Sequence, residues 1–465
     1  MIKMNVEFTK EQIDIVRYDE ASMLIRGVAG SGKTLCLISN AAIKSNKSPG
    51  VYFFTYNNTL EKNIKDNFSI LNNQNVKVSN FHKWARAELQ KVYPYVNTLG
   101  NNRYNQKTKI NLLEKSIKKA SNDYSGRFIK EEEYKDFLLD EFNYINSQYI
   151  DDIDEYINLS RRGRGNEIRL SKADRQEVYA IYKYYQEEKL KSFYFEFNDY
   201  APRLLDKFEE VKENNEMNHI YVDEAQDLDK AQLLLLNKLA LETFYVATDK
   251  GQKIYNTNYS WRELGINIQG GRTKVLRTSF RTTEQILHLA RGLQKKDSVS
   301  EEEDYTEAQI KDMKQGPKPK VILYKKTDYK KVLVNEVKES LANNKVVGLL
   351  VNTWYQGEKL EKYLSENGIN SEVIKNSKGS TVTEGVKITT KYSSKGLEFD
   401  HVIIADFIFE KKLNENDEDA LNRERRLNYV SFTRARNSLT ILAPEDSPSR
   451  FLPELEEHYY DLKKL

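Results

Sequence analysis

At 465 residues the chain has room for roughly two to four domains, and its 31% charged and 11% aromatic residues exclude a disordered polymer. The net charge of +3 permits nucleic-acid binding without arguing for it, because clustering in a groove counts for more than the sum. One cysteine, Cys36, excludes an internal disulfide and a zinc cluster, and the lack of a signal-peptide pattern or of an apolar run near about 18 residues predicts a cytoplasmic protein with no membrane partner.

In chain order, Phe8 to Gln12 predicts an N-capped helix start, with Thr9 as cap and Gln12 as its capping-box partner. Met23 to Ile25 is a short apolar strand, and it runs into Gly27-Val28-Ala29-Gly30-Ser31-Gly32-Lys33-Thr34 and a helix through Ala42. This is the pattern G-x-x-x-x-G-K-T, a loop whose backbone N–H groups wrap nucleotide phosphates. Lys33 neutralises phosphate charge there, Thr34 ligates Mg²⁺, and Gly30 and Gly32 let the backbone approach the anion. Cys36, just inside the helix, reads as a buried, inert thiol. Val51 to Phe54 is a second buried strand ending in Thr55-Tyr56-Asn57, and Val76 to Val78 is a third, followed by His82. Polar residues at the carboxyl ends of parallel strands are where ligands are met.

From about Leu89 to Tyr200 the strand signals fade and a helical insertion is expected. Val178, Ile181, Tyr182 and Tyr185 recur within it at helical spacing and read as a core stripe. Arg161-Arg162-Gly163-Arg164 is a basic loop that fits a phosphate contact and a solvated turn equally well. The strand His219 to Val222 then runs into Asp223-Glu224, the second half of an NTPase site. Asp223 is expected to hold Mg²⁺ and Glu224 to orient and deprotonate the attacking water. Phe244 to Ala247 is a further strand, followed by Thr248-Asp249 and Gln252. Val275-Leu276 leads to Phe280-Arg281 and a helix from Thr283 to about Gly292, and Gln294 to Lys320 reads as a surface linker without chemistry.

A second α/β pattern follows, with strands at Val321 to Leu323, Val346 to Val351, Val386 to Thr389, His401 to Ala405 and Leu439 to Leu442. Helices are expected at Val332 to Ala342, Glu358 to Glu366 and around Arg423 to Thr433. Alternating β and α with buried strands predicts two α/β lobes, each a parallel sheet covered on both faces. The second lobe has no phosphate loop but offers Arg281 and Arg434, which would complete the nucleotide site when the gap between the lobes shuts.

Three stretches, Asp223-Glu224-Ala225-Gln226-Asp227, Thr390 to Phe399 (TKYSSKGLEF) and Arg425 to Ala435 (RRLNYVSFTRA), resemble the UvrD/Rep family of superfamily 1A DNA helicases. The resemblance implies two RecA-like lobes: subdomain 1A at 1–88 and 201–275, split by helical subdomain 1B at 89–200, and subdomain 2A at 276–465. It implies that ATP and Mg²⁺ are the cofactors, Gln12 reads adenine, Phe280 stacks on the base, and Arg281 and Arg434 reach the γ-phosphate. Gln252 resembles the glutamine coupling that phosphate to DNA, and Gly396 and Glu398 fall near the nucleotide. Thr55, Asn57, His82, Tyr255 and Thr390 match positions that touch single-stranded DNA. Thr257 stands where a second aromatic is usual, and Trp261 is either its substitute or a core residue. Leu35, Thr248 and Tyr392 replace a usual arginine, glycine and histidine. The family's large 2B subdomain has only Asn370 to Gly385 to occupy, so it is expected to be absent or reduced to a loop, and no nuclease block is expected after Arg434.

By this resemblance the chain is an ATP-dependent translocase or helicase with 3′→5′ polarity, acting on single-stranded DNA or a 3′-tailed duplex. The resemblance also admits a nucleotide-switched, DNA-sensing subunit of a larger complex. Compact relatives of that kind are paired with a nuclease in bacterial anti-phage systems such as Gabija. RNA as the track stays open.

Overall fold

The computed structural model describes residues 7–56, 58–98, 103–159, 168–253, 259–298, 305–310, 313–375, 384–408 and 417–465. Two wholly parallel sheets organise them. The first contains β1 (Ser22–Gly27), β2 (Val51–Thr55) and β3 (Val76–Asn80); a two-stranded ribbon of β4 (Asn97–Thr98) and β5 (Tyr194–Phe195) lies apart from it. The first sheet is completed by β6 (His219–Val222), β7 (Thr243–Thr248) and β8 (Thr273–Leu276), in the order β3-β2-β6-β7-β1-β8. The second holds β9 (Lys320–Tyr324), β10 (Val346–Val351), β11 (Ser371–Val373), β12 (Gly385–Thr390), β13 (Phe399–Ile404), β14 (Ala435–Pro444) and β15 (Asp461–Lys464), in the order β11-β12-β10-β13-β14-β9-β15. The α/β class with two parallel-sheet lobes is thus as expected from the alternation of strand and helix.

Each sheet is buried on both faces because successive side chains of a strand point to opposite sides. In β2, Val51 and Phe53 enter one core of the first lobe, with Cys36 and Leu37 of the Lys33–Ser45 helix, while Tyr52 and Phe54 enter the other, with Trp84 and Ile220. In β10, Val347 and Leu349 enter one core of the second lobe and Leu350 the other, with Phe399 and Val430. Cys36 is fully buried and burial pushes its thiol up to about 12, so it is the inert thiol its position implies.

The insertion is helical, with helices at Arg103–Ala120, Lys135–Gln148 and Lys172–Lys191 packed around a core of their own. Val178, Ile181, Tyr182 and Tyr185 are buried in that core, as the helical spacing indicates. β4, β5, β11 and β15 were not foreseen. β15 carries exposed Asp461-Leu462-Lys463-Lys464 and exists through its pairing with β9. No helix of the described residues is long and apolar enough to cross a membrane. The basic loop Arg161-Arg162-Gly163-Arg164 and the tip of the Asn370 to Gly385 segment lie outside the described residues.

Candidate functional site

The phosphate loop leaves the carboxyl end of β1 and enters the Lys33–Ser45 helix, so its amides point along the positive end of that helix. Gly30 and Gly32 both hold positive φ, +73° and +85°. A Cβ on Gly30 would lie 2.4 Å from that of Arg281, and one on Gly32 would lie 2.6 Å from Nε2 of Gln12, so conformation and space both require glycine. Lys33 is buried, and its Nζ donates to the carbonyl oxygens of Gly27 (2.7 Å) and Val28 (2.9 Å) and lies 3.5 Å from Asp249. The Ser31 hydroxyl is buried without a partner.

β6 delivers the acidic pair. The hydroxyl of Thr34 donates to Asp223 Oδ2 at 2.6 Å, while Oδ1 of the same carboxylate is buried without a hydrogen-bond partner. Burial first, then the charge of Glu224, raises the proton affinity of Asp223. An orphaned acceptor, a neighbouring hydroxyl and a carboxylate short of positive charge fit a divalent cation shared by Thr34 and Asp223. Glu224 holds left-handed backbone angles, φ +54° and ψ +42°, which cost a residue with a Cβ about 1–2 kcal/mol. Burial works to raise its pKa, but Lys395, then Lys33 and Arg434, outweigh it and lower it, which keeps this carboxylate ionised.

The second lobe reaches this pair through a continuous polar chain. Arg434, 2% exposed, donates from Nε to the carbonyl of Val430 at 2.9 Å and from Nη2 to Gln252 Oε1 at 2.6 Å. Gln252 Nε2 donates to Asp249, and Asp249 faces Lys33. Gln226 ties the two acidic strand ends together, donating to Glu224 and accepting from the Asp249 amide at 3.0 Å. Lys395 crosses from the second lobe to Asp227 (2.8 Å) and to the Gln252 carbonyl (3.0 Å), with Glu224 at 3.7 Å. Burial, then the charge of Arg281, brings Arg434 down to about 10, so it stays cationic at neutral pH.

Between the lobes lies a cavity of about 380 Å³, lined by Gly30 to Leu35 and Leu60 from one side and Gly396, Glu398 and Arg434 from the other, with Phe280 and Arg281 at its edge. That volume is in the range of small-ligand sites, and its lining is weighted toward cations and amides suited to an anion. An adjoining recess of about 120 Å³ is lined by Thr9, Gln12, Thr278, Gln309 and Phe280, a residue 58% exposed. Gln12 closes the capping box, accepting from the Thr9 amide at 3.0 Å, and its Nε2 donates to the Ser31 carbonyl at 3.0 Å. The capping reading and a place on the phosphate loop therefore hold together.

Other expectations are redrawn. Arg281 does not come from the far lobe. It sits on the segment crossing between the lobes, where the neighbouring Phe280 amide donates to Gly30 at 2.9 Å, and only its guanidinium turns to the second lobe, to Glu398 at 2.6 Å. Trp261 is 3% exposed in the first-lobe core, edge-on to Tyr259, so it is a core residue and offers no face to a base. Thr55 and Thr390 are buried at the carboxyl ends of β2 and β12, the Thr55 hydroxyl shut away from solvent and the Thr390 hydroxyl accepting from the Ser393 amide. His82 is packed between Tyr56, Phe81, Phe197 and Tyr200, and burial lowers its pKa to about 4, leaving it neutral. Asn57 and Tyr255 lie outside the described residues. Sequence reasoning gave no role to Asp249, Gln226, Lys395 or Phe197. Asp249 carried a readable signal, since it follows β7 as Asp223 follows β6.

Residues 8–268 match the model of the UvrD/REP helicase N-terminal domain, and residues 373–445 that of the UvrD-like helicase C-terminal domain. Among curated proteins, the chain is similar to the ATP-dependent DNA helicase PcrA of Staphylococcus epidermidis, 26% identical over 62% of this chain and 40% of the relative. PcrA of Staphylococcus aureus is 25% identical over the same shares. The match thus spans less than half the length of these relatives. Among solved structures, the C-terminal domain of a possible DNA helicase from Lactobacillus plantarum WCFS1 is 22% identical over 40% of this chain and 98% of that one, at a TM-score of 0.30, too distant to bear on mechanism.

Proposed function

The chain belongs to the UvrD/Rep helicase family, and from that premise we propose that it is an ATP-driven motor on single-stranded DNA that hydrolyses ATP in the cleft between its two lobes. The observation that carries this reading is the polar chain from Arg434 through Gln252 and Asp249 to Lys33, which joins the second lobe to the phosphate loop of the first. In this mechanism Lys33 leaves its backbone carbonyls for the phosphates, Thr34 and Asp223 would hold Mg²⁺, and Glu224 takes the proton of the attacking water. A Mg²⁺ ion held there would supply neutralisation of the phosphate charge. Gln12 and Phe280 receive the base in their recess. Arg281 and Arg434 turn from Glu398 and Gln252 to the γ-phosphate as the lobes close, and Gln252, released, passes that change on toward the strand.

For the track, the exposed aromatics are better placed than the buried threonines. Phe197, 47% exposed, lies edge-on to His82 at 5.3 Å, and on the second lobe Tyr355 and Tyr392 are exposed just past the carboxyl ends of β10 and β12. Because His82 is neutral, this cluster would hold bases by stacking rather than phosphates by charge, at about 1–3 kcal/mol per base without sequence preference. The 3′→5′ polarity is carried over from the family resemblance.

The short Asn370 to Gly385 segment, where relatives hold a whole subdomain, favours a second reading: a nucleotide-switched DNA-sensing subunit of a nuclease-containing complex that unwinds little alone. ATPase activity measured against single-stranded DNA, RNA and duplex, alongside unwinding of 3′- and 5′-tailed duplexes, separates the two. A motor gives DNA-stimulated hydrolysis with separation of the 3′-tailed duplex. A switch gives stimulated hydrolysis without strand separation, and hydrolysis indifferent to every nucleic acid contradicts both.

A further inference from the structure

Glu398 is held at two separate oxygens by two arginines. Arg281 Nε donates to Oε1 at 2.6 Å, while Arg436 donates to Oε2 from Nε at 3.0 Å and from Nη2 at 2.7 Å. Arg436 reaches this carboxylate because of an irregularity in the sheet. β13 and β14 pair Phe399 with Ala435 and next His401 with Ser438, so β14 carries one residue more than its partner across this step. Such a bulge bends the strand and re-aims its side chains, and bulges collect beside active sites. Here it lies directly after Arg434, and Arg436, half exposed, holds the carboxylate of Glu398, which lines the cavity between the lobes.

We infer that Arg436 is a positioning residue for nucleotide binding, acting through Glu398 to let Arg281 go; the inference rests on the reading of the cleft as an ATP site. Entering phosphates must draw Arg281 off Glu398. If Arg281 were the carboxylate's sole partner, its departure would leave a partly buried charge, 30% exposed, without a partner, and stranding such a charge is costly. Arg436 occupies the other oxygen, so the carboxylate keeps a two-bond partner throughout and Arg281 can exchange ligands. Arg436 needs no contact with nucleotide to do this.

The test is a double-mutant cycle on steady-state ATP hydrolysis with saturating single-stranded DNA, using R436A, E398Q and the pair in the full chain. R436A is expected to lower kcat/KM for ATP about tenfold, mostly through KM, because Arg281 then stays clamped to an undivided carboxylate. R436K restores part of the loss, and in the E398Q background, where there is no charge to strand, R436A has no further effect. Equal losses in both backgrounds would overturn the inference, since Arg436 would then act directly on nucleotide or DNA. Unchanged kinetics of R436A, with a wild-type enzyme that hydrolyses ATP, would also overturn it. A wild-type chain without ATPase activity would instead overturn the reading of the cleft on which it rests. Thermal melting of each variant keeps a folding defect apart from these outcomes.

Discussion

Arg434→Ala is expected to cut ATP turnover by about 10³–10⁵-fold, the range that arginine fingers contribute in nucleotide hydrolases. The guanidinium is buried yet cationic, and among the described residues it donates to neutral oxygens, those of Val430 and Gln252, so a phosphate would replace a neutral ligand. Its loss acts where charge develops in the transition state, so kcat falls far more than KM rises. The truncation also leaves the Gln252 and Val430 oxygens without this donor, at about 1–3 kcal/mol of stability for a buried group. Single-turnover hydrolysis below the melting temperature separates the two effects. Arg434→Lys keeps the charge and the packing but not the fork, and it is expected to fold normally while recovering little turnover.

Lys33→Ala is the second large effect, a fall in ATP hydrolysis on the order of 10³-fold, equivalent to about 4 kcal/mol. Lys33 is the cation at the base of the cavity, already desolvated and within 3.5 Å of Asp249, so a phosphate bound there meets a charge that has little water left to shed. Unlike Arg434, it contributes to the bound ground state as well, and loss of nucleotide affinity by equilibrium titration is expected alongside loss of turnover. Hydrolysis that survives in Lys33→Ala at the wild-type rate would mean that the phosphates sit elsewhere.

Much of this site was legible in the sequence. The G-x-x-x-x-G-K-T spacing placed Lys33 and Thr34, and the apolar run His219 to Val222 ending in acids placed Asp223, because a strand and a turn of fixed length leave few places for those side chains to go. The bond from Thr34 to Asp223 is what that pattern implies. The fold was legible for the same reason: β6 and β10 are apolar runs closed by polar residues, and they appear at the expected bounds. β15 was not legible because nothing in Asp461-Leu462-Lys463-Lys464 is apolar or alternating enough to mark a strand, and only the open edge of β9 makes it one.

Pairings across the cleft were the other loss. Periodicity reports which face a residue occupies within its own element, not which charge it meets 150 residues away. Arg436 was invisible for a different reason, since its partner Glu398 lies in the same lobe and their meeting depends on a one-residue bulge that no local pattern announces. Lys395 lay inside a stretch singled out for its resemblance, yet its bond to Asp227 appears only when the lobes are side by side. Arg281 was assigned to the second lobe although it sits on the segment crossing between the lobes, because an apolar pair followed by a helix looks the same whether the chain is entering a lobe or crossing toward it.

The central claim is that nucleotide is held by both lobes and draws them together. Cys36 is buried with a high thiol pKa, so dyes attached to K47C in the first lobe and E366C in the second, both exposed positions, label selectively. Energy transfer between them, measured on adding a saturating, slowly hydrolysed ATP analogue with Mg²⁺, tests the claim most directly. Transfer is expected to change on binding and to stay near its nucleotide-free value when Arg281 and Arg434 are both alanine. Saturation by nucleotide with no change in the distance between the lobes would contradict it.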